Sequence, residues 1–352
     1  MSGENHSPSV SPTGEAAPAP SLQAKVAFLQ RPDSYADRPA RVETIETHMS
    51  FLFLSDRLVY KLKRPIRYDF LDFSTVELRR RHCEAEVVLN RRLAGEVYLG
   101  VVPLTLESGG RLALEGTGMV VDWLVKMRRL PAERMLDQAI RHDRVDLNEV
   151  RRFAGKLAEF YRAAPPVPID AATYLARFDG DLRENLRELS RPEFHLPQDV
   201  VAGVIAAQRR LLEAAPQLLA DRAVGHRILE AHGDLRPEHV LLGPQPLVID
   251  CLEFNRDFRL LDPADELGFL AMECEQLGSS VVGETMFKVY GEVTGDWPPA
   301  PLVAFYKCNR ACLRAKLSIW HLREPLPREP ERWPRQTRRY LEMAATYATE
   351  LA

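Results

Sequence analysis

The sequence predicts an α+β protein in two parts, a small β-rich N-terminal part and a larger, mostly helical C-terminal part. Three observations predict it. Short strand-like runs separated by turn residues fill the chain up to about residue 127. The run Arg128-Arg129-Leu130-Pro131 ends that pattern. Beyond it apolar residues recur at helical spacing, with one β-like island. A length of 352 residues suits two such parts. The apolar content of 45% and charged content of 28% are ordinary for a soluble globular chain.

The elements follow in order. Residues 1–21 are rich in Ser, Pro, Gly and Ala and are expected as a disordered tail. Leu22 to Gln30 reads as a short amphipathic helix. Strands are expected at 42–47, 51–54 and 58–62, with Ser55-Asp56 as the tight turn between the last two. Ser74 to Leu93 is expected to be helical, with Ser74 as cap and Glu77 three residues on as in a capping box. Strand signals resume at 98–104, 111–114 and 119–127, punctuated by Gly109-Gly110 and Gly116.

Residues 22–127 then form an N-terminal lobe, 128–131 a hinge, and 132–352 a C-terminal lobe. Helices are expected at 148–163, 172–190, 198–219, 265–277, 281–293, 301–323 and 333–351. The β-like island is Val240–Leu242 with Leu247–Asp250. A β-rich first third, a short connector and a helical remainder with one hairpin is the layout of a two-lobed, protein-kinase-like fold.

Composition excludes some classes. A formal net charge of −3 argues against a general nucleic-acid binder. No stretch approaches the roughly 18 apolar residues of a membrane span, and the N-terminus lacks an apolar signal core. Five cysteines without a CxxC pair fit reduced thiols and a cytoplasmic location. Cys308 and Cys312, four apart on an expected helix, read as buried small hydrophobes rather than as a two-thiol site. The oligomeric state is not readable.

The chemistry concentrates in His232-Gly233-Asp234-Leu235-Arg236-Pro237-Glu238-His239. A carboxylate on a loop beside a hairpin can accept a proton from an attacking hydroxyl, or orient it. Sixteen residues after Asp234, Val248-Ile249-Asp250 ends the return strand with a second carboxylate. A hairpin brings such positions together, so the two could flank a metal–nucleotide complex.

This segment resembles the aminoglycoside phosphotransferase and choline kinase superfamily, whose catalytic loop reads H-G-D-x-x-x-x-N and whose metal aspartate sits in an I-D segment. The stretches Thr47-His48-Met49-Ser50, Tyr60-Lys61-Leu62-Lys63-Arg64-Pro65, Leu71-Asp72-Phe73-Ser74-Thr75 and Leu89-Asn90-Arg91-Arg92-Leu93 are similar to a bacterial branch identified only as aminoglycoside-phosphotransferase-family enzymes. Some members of that branch carry a further P-loop domain. No G-x-x-x-x-G-K-[ST] occurs in this sequence, so none is expected here.

The resemblance implies Asp234 as catalytic base, Asp250 as magnesium ligand, and ATP with Mg2+ as cofactors. It also implies a strand cation for the phosphates and a helix glutamate to position it. Lys61 is favoured over Lys63, which abuts Arg64-Pro65, and Glu86 over Glu84. The phosphate-covering loop would be His48-Met49-Ser50, with His48 and the Ser50 hydroxyl near the phosphates. Glu253 is a candidate further metal ligand. Asp265 is expected to cap its helix and to hydrogen-bond the catalytic loop.

The pattern departs at one place: His239 stands where the superfamily has asparagine. Imidazole is a ligand that magnesium rarely accepts, so one metal bound with fewer protein ligands, Mn2+ in place of Mg2+, or lost catalysis in a nucleotide-binding regulatory protein, are the alternatives. The acceptor is expected to be a small molecule, of open identity, as is ATP against GTP. A polycation would want the acidic residues Glu273, Glu275 and Asp257. A face of Tyr306, Arg310 and Arg314, with Lys307 and Lys316 nearby, would instead favour an anion.

Overall fold

The computed structural model describes residues 19–323 and 329–351; the expected tail lies outside them up to residue 18. The chain divides into two compact units, residues 1–84 with 99–129 and residues 85–98 with 130–352. The fold is of the expected class, a β-rich N-terminal part and a helical C-terminal part.

In the first unit, α1 (Leu22–Leu29) starts at Ser21, whose hydroxyl accepts from the Ala24 N–H. Strands β1 (Glu43–Glu46), β2 (Ser50–Leu54) and β3 (Leu58–Lys63) form an antiparallel meander. The turn at Ser55-Asp56 is closed by the Ser55 hydroxyl, which accepts from the Leu58 N–H at 3.1 Å. A two-stranded ribbon, β4 (Arg67–Tyr68) with β5 (Leu71–Asp72), precedes helix α2 (Val76–Ala94). Strands β6 (Tyr98–Leu106), β7 (Leu112–Leu114) and β8 (Met119–Arg128) complete a six-stranded sheet in the order β1-β2-β3-β8-β6-β7.

Phe53, Tyr60, Leu62, Leu104 and Leu124 form the core of this unit with Leu29 of α1. One buried carboxylate ties helices to sheet. Asp122 of β8 accepts from Lys25 of α1 at 2.7 Å and from Arg79 of α2 through two bonds, 2.7 and 2.9 Å. The expected cap at Ser74 is corrected. Ser74 donates its N–H and hydroxyl back to Asp72, and the Thr75 hydroxyl accepts from the Leu78 N–H at the helix start.

The second unit contains the last half of α2 and a helical array: α3 (Leu136–Arg141), α4 (Leu147–Ala163), α5 (Ala171–Leu189), α6 (Gln198–Ala214), α7 (Gln217–Val224), α8 (Pro263–Gln276), α9 (Ser280–Thr294), α10 (Ala300–Trp320) and α11 (Arg332–Ala348). The apolar stripe expected on α4 is its buried face: Val150, Phe153, Leu157 and Tyr161. The single helix expected over 198–219 is two. Pro216 has no N–H to continue the ladder, so α6 ends at Ala214 and α7 begins after the proline.

Two short ribbons interrupt the helices. Leu229–Glu230 (β9) pairs with Leu260–Leu261 (β12), and Val240–Leu241 (β10) pairs with Leu247–Val248 (β11). All five cysteines are buried and unbridged. No helix among the described residues is long and apolar enough to cross a membrane.

A buried ionic knot ties α7 to the start of α8 and to the segment after α9. Arg222 of α7 donates to Asp262, at 2.6 and 2.8 Å, and to Asp296, at 2.8 and 2.6 Å. Asp262 also caps α8 and accepts from the Tyr306 hydroxyl, while Asp296 accepts from Tyr290. Replacing the cation leaves two buried carboxylates without a counter-charge. Arg222→Met is expected to lose about 3–5 kcal/mol of stability in urea unfolding, part of it recovered when Asp296→Asn is added.

Candidate active site

The His232–His239 segment leaves β9 and returns through a single 3-10 turn, Pro237–His239, into β10. Its start needs glycine. Gly233 has φ +89, and a Cβ there would come within 2.9 Å of the Arg259 side chain. The brace of this turn is Glu266, on the first turn of α8. Its carboxylate accepts from the His232 N–H at 3.0 and 3.1 Å, from the Gly233 N–H at 2.6 Å, and from the Tyr161 hydroxyl at 2.7 Å.

The role expected for Asp265 is thereby corrected. Asp262 caps α8, Glu266 holds the loop, and Asp265 is engaged by Arg310 through two bonds of 2.8 and 2.7 Å. Asp265 and Glu266 are adjacent acids in one helix turn, and nothing local distinguishes which one reaches the loop.

The loop carrying Asp250 is sewn to the same segment. The Ile249 N–H donates to the His239 carbonyl at 2.9 Å, and the Leu252 N–H to the His232 carbonyl at 3.2 Å. The His232 side chain adds a third stitch. Its Nδ1 accepts from the Asp234 N–H, so Nε2 carries the proton and donates to the Ile249 carbonyl at 3.0 Å. Burial, with the charge of His239, pushes this imidazole down to about 3, so it stays neutral near pH 7.

The last half of α2 secures the other side. Asn90 accepts from the Cys251 N–H at 2.9 Å and the Tyr98 hydroxyl accepts from the Asp250 N–H at 3.0 Å. Arg92 donates to the carbonyls of Glu230 and Ala231, both at 2.8 Å. Asp250 itself is held at φ +61, a left-handed conformation uncommon for a residue with a side chain.

These constraints bring together three of the residues singled out in the sequence. His239 lies between the two carboxylates, with Nδ1 3.8 Å from Asp234 Oδ2 and Nε2 3.5 Å from Asp250 Oδ2. Its Nδ1 also stands 2.8 Å from the Asp234 carbonyl, to which it donates. Burial raises the Asp234 carboxyl, but the charges of Arg236, His239 and Arg314 outweigh it and hold the group below the usual aspartate range. Arg236 Nε is 3.3 Å from Asp234 Oδ1.

The other candidates are placed as follows. Glu86 is fully buried on α2, one turn before Asn90. Glu253 is half-buried on the Asp250 loop. Among the described residues no group of three or more His, Cys, Asp or Glu is clustered as a metal would require. Lys61, His48 and Ser50 belong to the other unit. Of the two lysines on β3, Lys63 is buried, at 1% exposure, with its ammonium over the Phe73 ring, whereas Lys61 is half-buried.

The His48–Ser50 turn is closed on itself. The Ser50 N–H donates to the Thr47 hydroxyl at 3.0 Å, and the exposed His48 ring stacks on Tyr68. Sequence reasoning gave no role to Arg236, Glu266 or Tyr98. Arg236 was within the motif; the other two act through contacts 33 or more residues away, which no local pattern announces.

Because His232 is neutral when buried and titrates near its ordinary value of 6.5 when unfolded, it favours the folded state fully above that pH. The contribution is lost as pH falls toward 3. Unfolding free energies of the wild type and His232→Gln, compared across this window, are expected to converge with falling pH by roughly 3–5 kcal/mol; parallel curves would contradict the assignment.

No family model matches the chain. An uncharacterized protein of Mycobacterium tuberculosis is 32% identical over 285 residues, 78% of this chain and 54% of its own length. The chain thus spans about half of that relative. Two solved structures cover 92% of the chain. One is a choline/ethanolamine kinase family protein from Mesorhizobium loti, 14% identical, covered over 100% of its length with a TM-score of 0.51. The other is aminoglycoside 2'-phosphotransferase-IIIa in its GDP complex, 17% identical, 97% covered, TM-score 0.54. The chain therefore has the fold of the choline/ethanolamine kinases and aminoglycoside phosphotransferases, the fold that its H-G-D segment and layout implied.

Proposed function

We propose that the chain is a phosphotransferase that moves the γ-phosphoryl group of ATP onto a hydroxyl of a small molecule. The observation that carries this reading is the grouping of Asp234, His239 and Asp250, on two loops stitched to each other and to Glu266. The GDP complex of a structure with the same fold supports nucleotide use.

In this mechanism the acceptor oxygen forms a bond to the γ-phosphorus while the bond from that phosphorus to the bridging oxygen breaks, and the nucleoside diphosphate leaves. Asp234 orients the hydroxyl and takes its proton. A carboxylate held low by the Arg236 and Arg314 guanidinium groups is a weak base, which suits a loose transition state in which the proton moves late. Most of the catalysis is then positioning and charge stabilisation. Lys61 on β3, with Lys63 as its rival, is the candidate phosphate-holding cation, and Glu86 the candidate helix acid.

A divalent metal would be held by Asp250 with His239 and would neutralise phosphate charge. With Nδ1 donating to the Asp234 carbonyl, Nε2 is the ring nitrogen left facing Asp250. A nitrogen and a carboxylate oxygen suit Mn2+ better than Mg2+. The second reading, a nucleotide-binding protein without chemistry, draws on one contact: Arg236 Nη2 stands 3.4 Å from His239 Nε2, where a metal would bind.

Asp234→Asn is expected to lower phosphate transfer about 10²–10⁴-fold while nucleotide affinity, read by calorimetry, changes little; undiminished turnover would sink the assignment. His239→Asn is expected to reverse a manganese preference. The ratio of Mn2+- to Mg2+-supported turnover should exceed one in the wild type and fall below one in the variant, with Mn2+ binding in the presence of ADP followed independently by electron paramagnetic resonance.

A further inference from the structure

Beside the Asp234 loop, and wholly within the second unit, lies a cavity of about 590 Å³, of a size that takes a small metabolite. Six arginines line it: Arg236 on the loop, Arg141 of α3, Arg314 of α10, and Arg332, Arg335 and Arg339 of α11. Against them stand three carboxylates, Asp137, Glu238 and Glu273. Each of these is already engaged. Glu273 accepts from Arg314 at 2.8 Å and from the Tyr340 hydroxyl at 3.0 Å, Glu238 lies 3.0 Å from Arg236, and Asp137 lies 3.9 Å from Arg141.

The surplus charge comes from α11, where Arg332 is paired with Glu329 at 3.0 Å and, among the described residues, Arg335 and Arg339 are not paired with an acid. Arg332, Arg335 and Arg339 fall at i, i+3 and i+7, on one helix face. Arg335 and Arg339 donate to the carbonyls of Glu331 and Gln276, and neither is paired with a carboxylate among the described residues. The inner wall of the cavity is shared with the reaction centre, since Arg236 Nε is 3.3 Å from Asp234 Oδ1 and makes no hydrogen bond there. Two of the three acidic residues that a polycation would want are already paired: Glu275 with Lys307 at 2.5 Å, and Glu273 with Arg314 at 2.8 Å.

We propose that the acceptor is an anionic alcohol, a hydroxyl compound carrying a phosphate or carboxylate, and that the α11 arginines bind its anionic group while Asp234 faces its hydroxyl. This rests on the phosphotransfer reading for the hydroxyl, but not for the anion. Arginine matches phosphate and carboxylate through paired N–H donors, whereas an amino sugar brought into the same cavity would meet like charge.

The test is calorimetric titration of the full chain at low ionic strength with four compounds on one six-carbon frame: glucose, glucosamine, gluconate and glucose 6-phosphate. At least one anion is expected to bind about tenfold more tightly than glucose, with glucosamine weakest; which anion wins distinguishes carboxylate from phosphate. The exposed pair Arg335→Gln with Arg339→Gln should weaken that anion about tenfold without lowering the melting temperature. Glucosamine binding as tightly as either anion, neither anion exceeding glucose, or unchanged anion affinity in the double variant would each overturn the proposal. Asp234-dependent ATP hydrolysis is measured separately. Its absence beside intact anion binding counts against phosphotransfer alone.

Discussion

The second unit's chemistry depends on one carboxylate that touches no reacting atom. Glu266 gathers the N–H groups of His232 and Gly233 at a sharp turn of the chain, where a positive φ and the Arg259 side chain leave room only for glycine. A backbone turned that sharply has donors that cannot reach a strand or helix partner, and buried donors without acceptors are costly. Glu266 supplies the acceptors from the first turn of a helix, and the Tyr161 hydroxyl donates to one of the same oxygens. Once those two peptides are fixed, Asp234 has one direction in which to project.

From that point order spreads outward by main-chain pairing. His232 and His239, at the two ends of the segment, each accept from the Asp250 loop. The loop therefore cannot shift relative to Asp234 without losing both bonds and the His232 side-chain bond. This explains how Asp250 is kept in the left-handed region, a conformation that costs energy and persists only when surroundings over-determine it. Here they include the Tyr98 hydroxyl and the Asn90 side chain on either side of its peptide.

What was legible in the sequence was what local chemistry writes. The α4 stripe, the meander turn at Ser55 and the small hairpin after His239 follow from spacing and turn residues, and each is present. Asp234 and Asp250 were found because a short hairpin confines their separation. Features set by distant partners were not legible. Ser74 yielded its capping place to Thr75 because Asp72 claims it. Tyr306 and Arg310 share the predicted helix face with Arg314, yet the first two are consumed in burial, by Asp262 and Asp265, and only Arg314 reaches the arginine-lined cavity. Helix phase gives direction but not depth. The six-residue α3 was missed because it is too short to show a period.

The cysteine beside Asp250 has a consequence for the environments in which the site survives. Cys251 is buried, donates to the His232 carbonyl, and lies 3.2 Å from Arg92. A nearby cation ordinarily makes a thiol reactive, but burial dominates and pushes this one up to about 12. It stays protonated and unavailable to peroxide or disulfide exchange, which act on the thiolate. With the other four cysteines also buried, the chain has no accessible thiol among its described residues, and oxidants have no handle on the loop that positions Asp250.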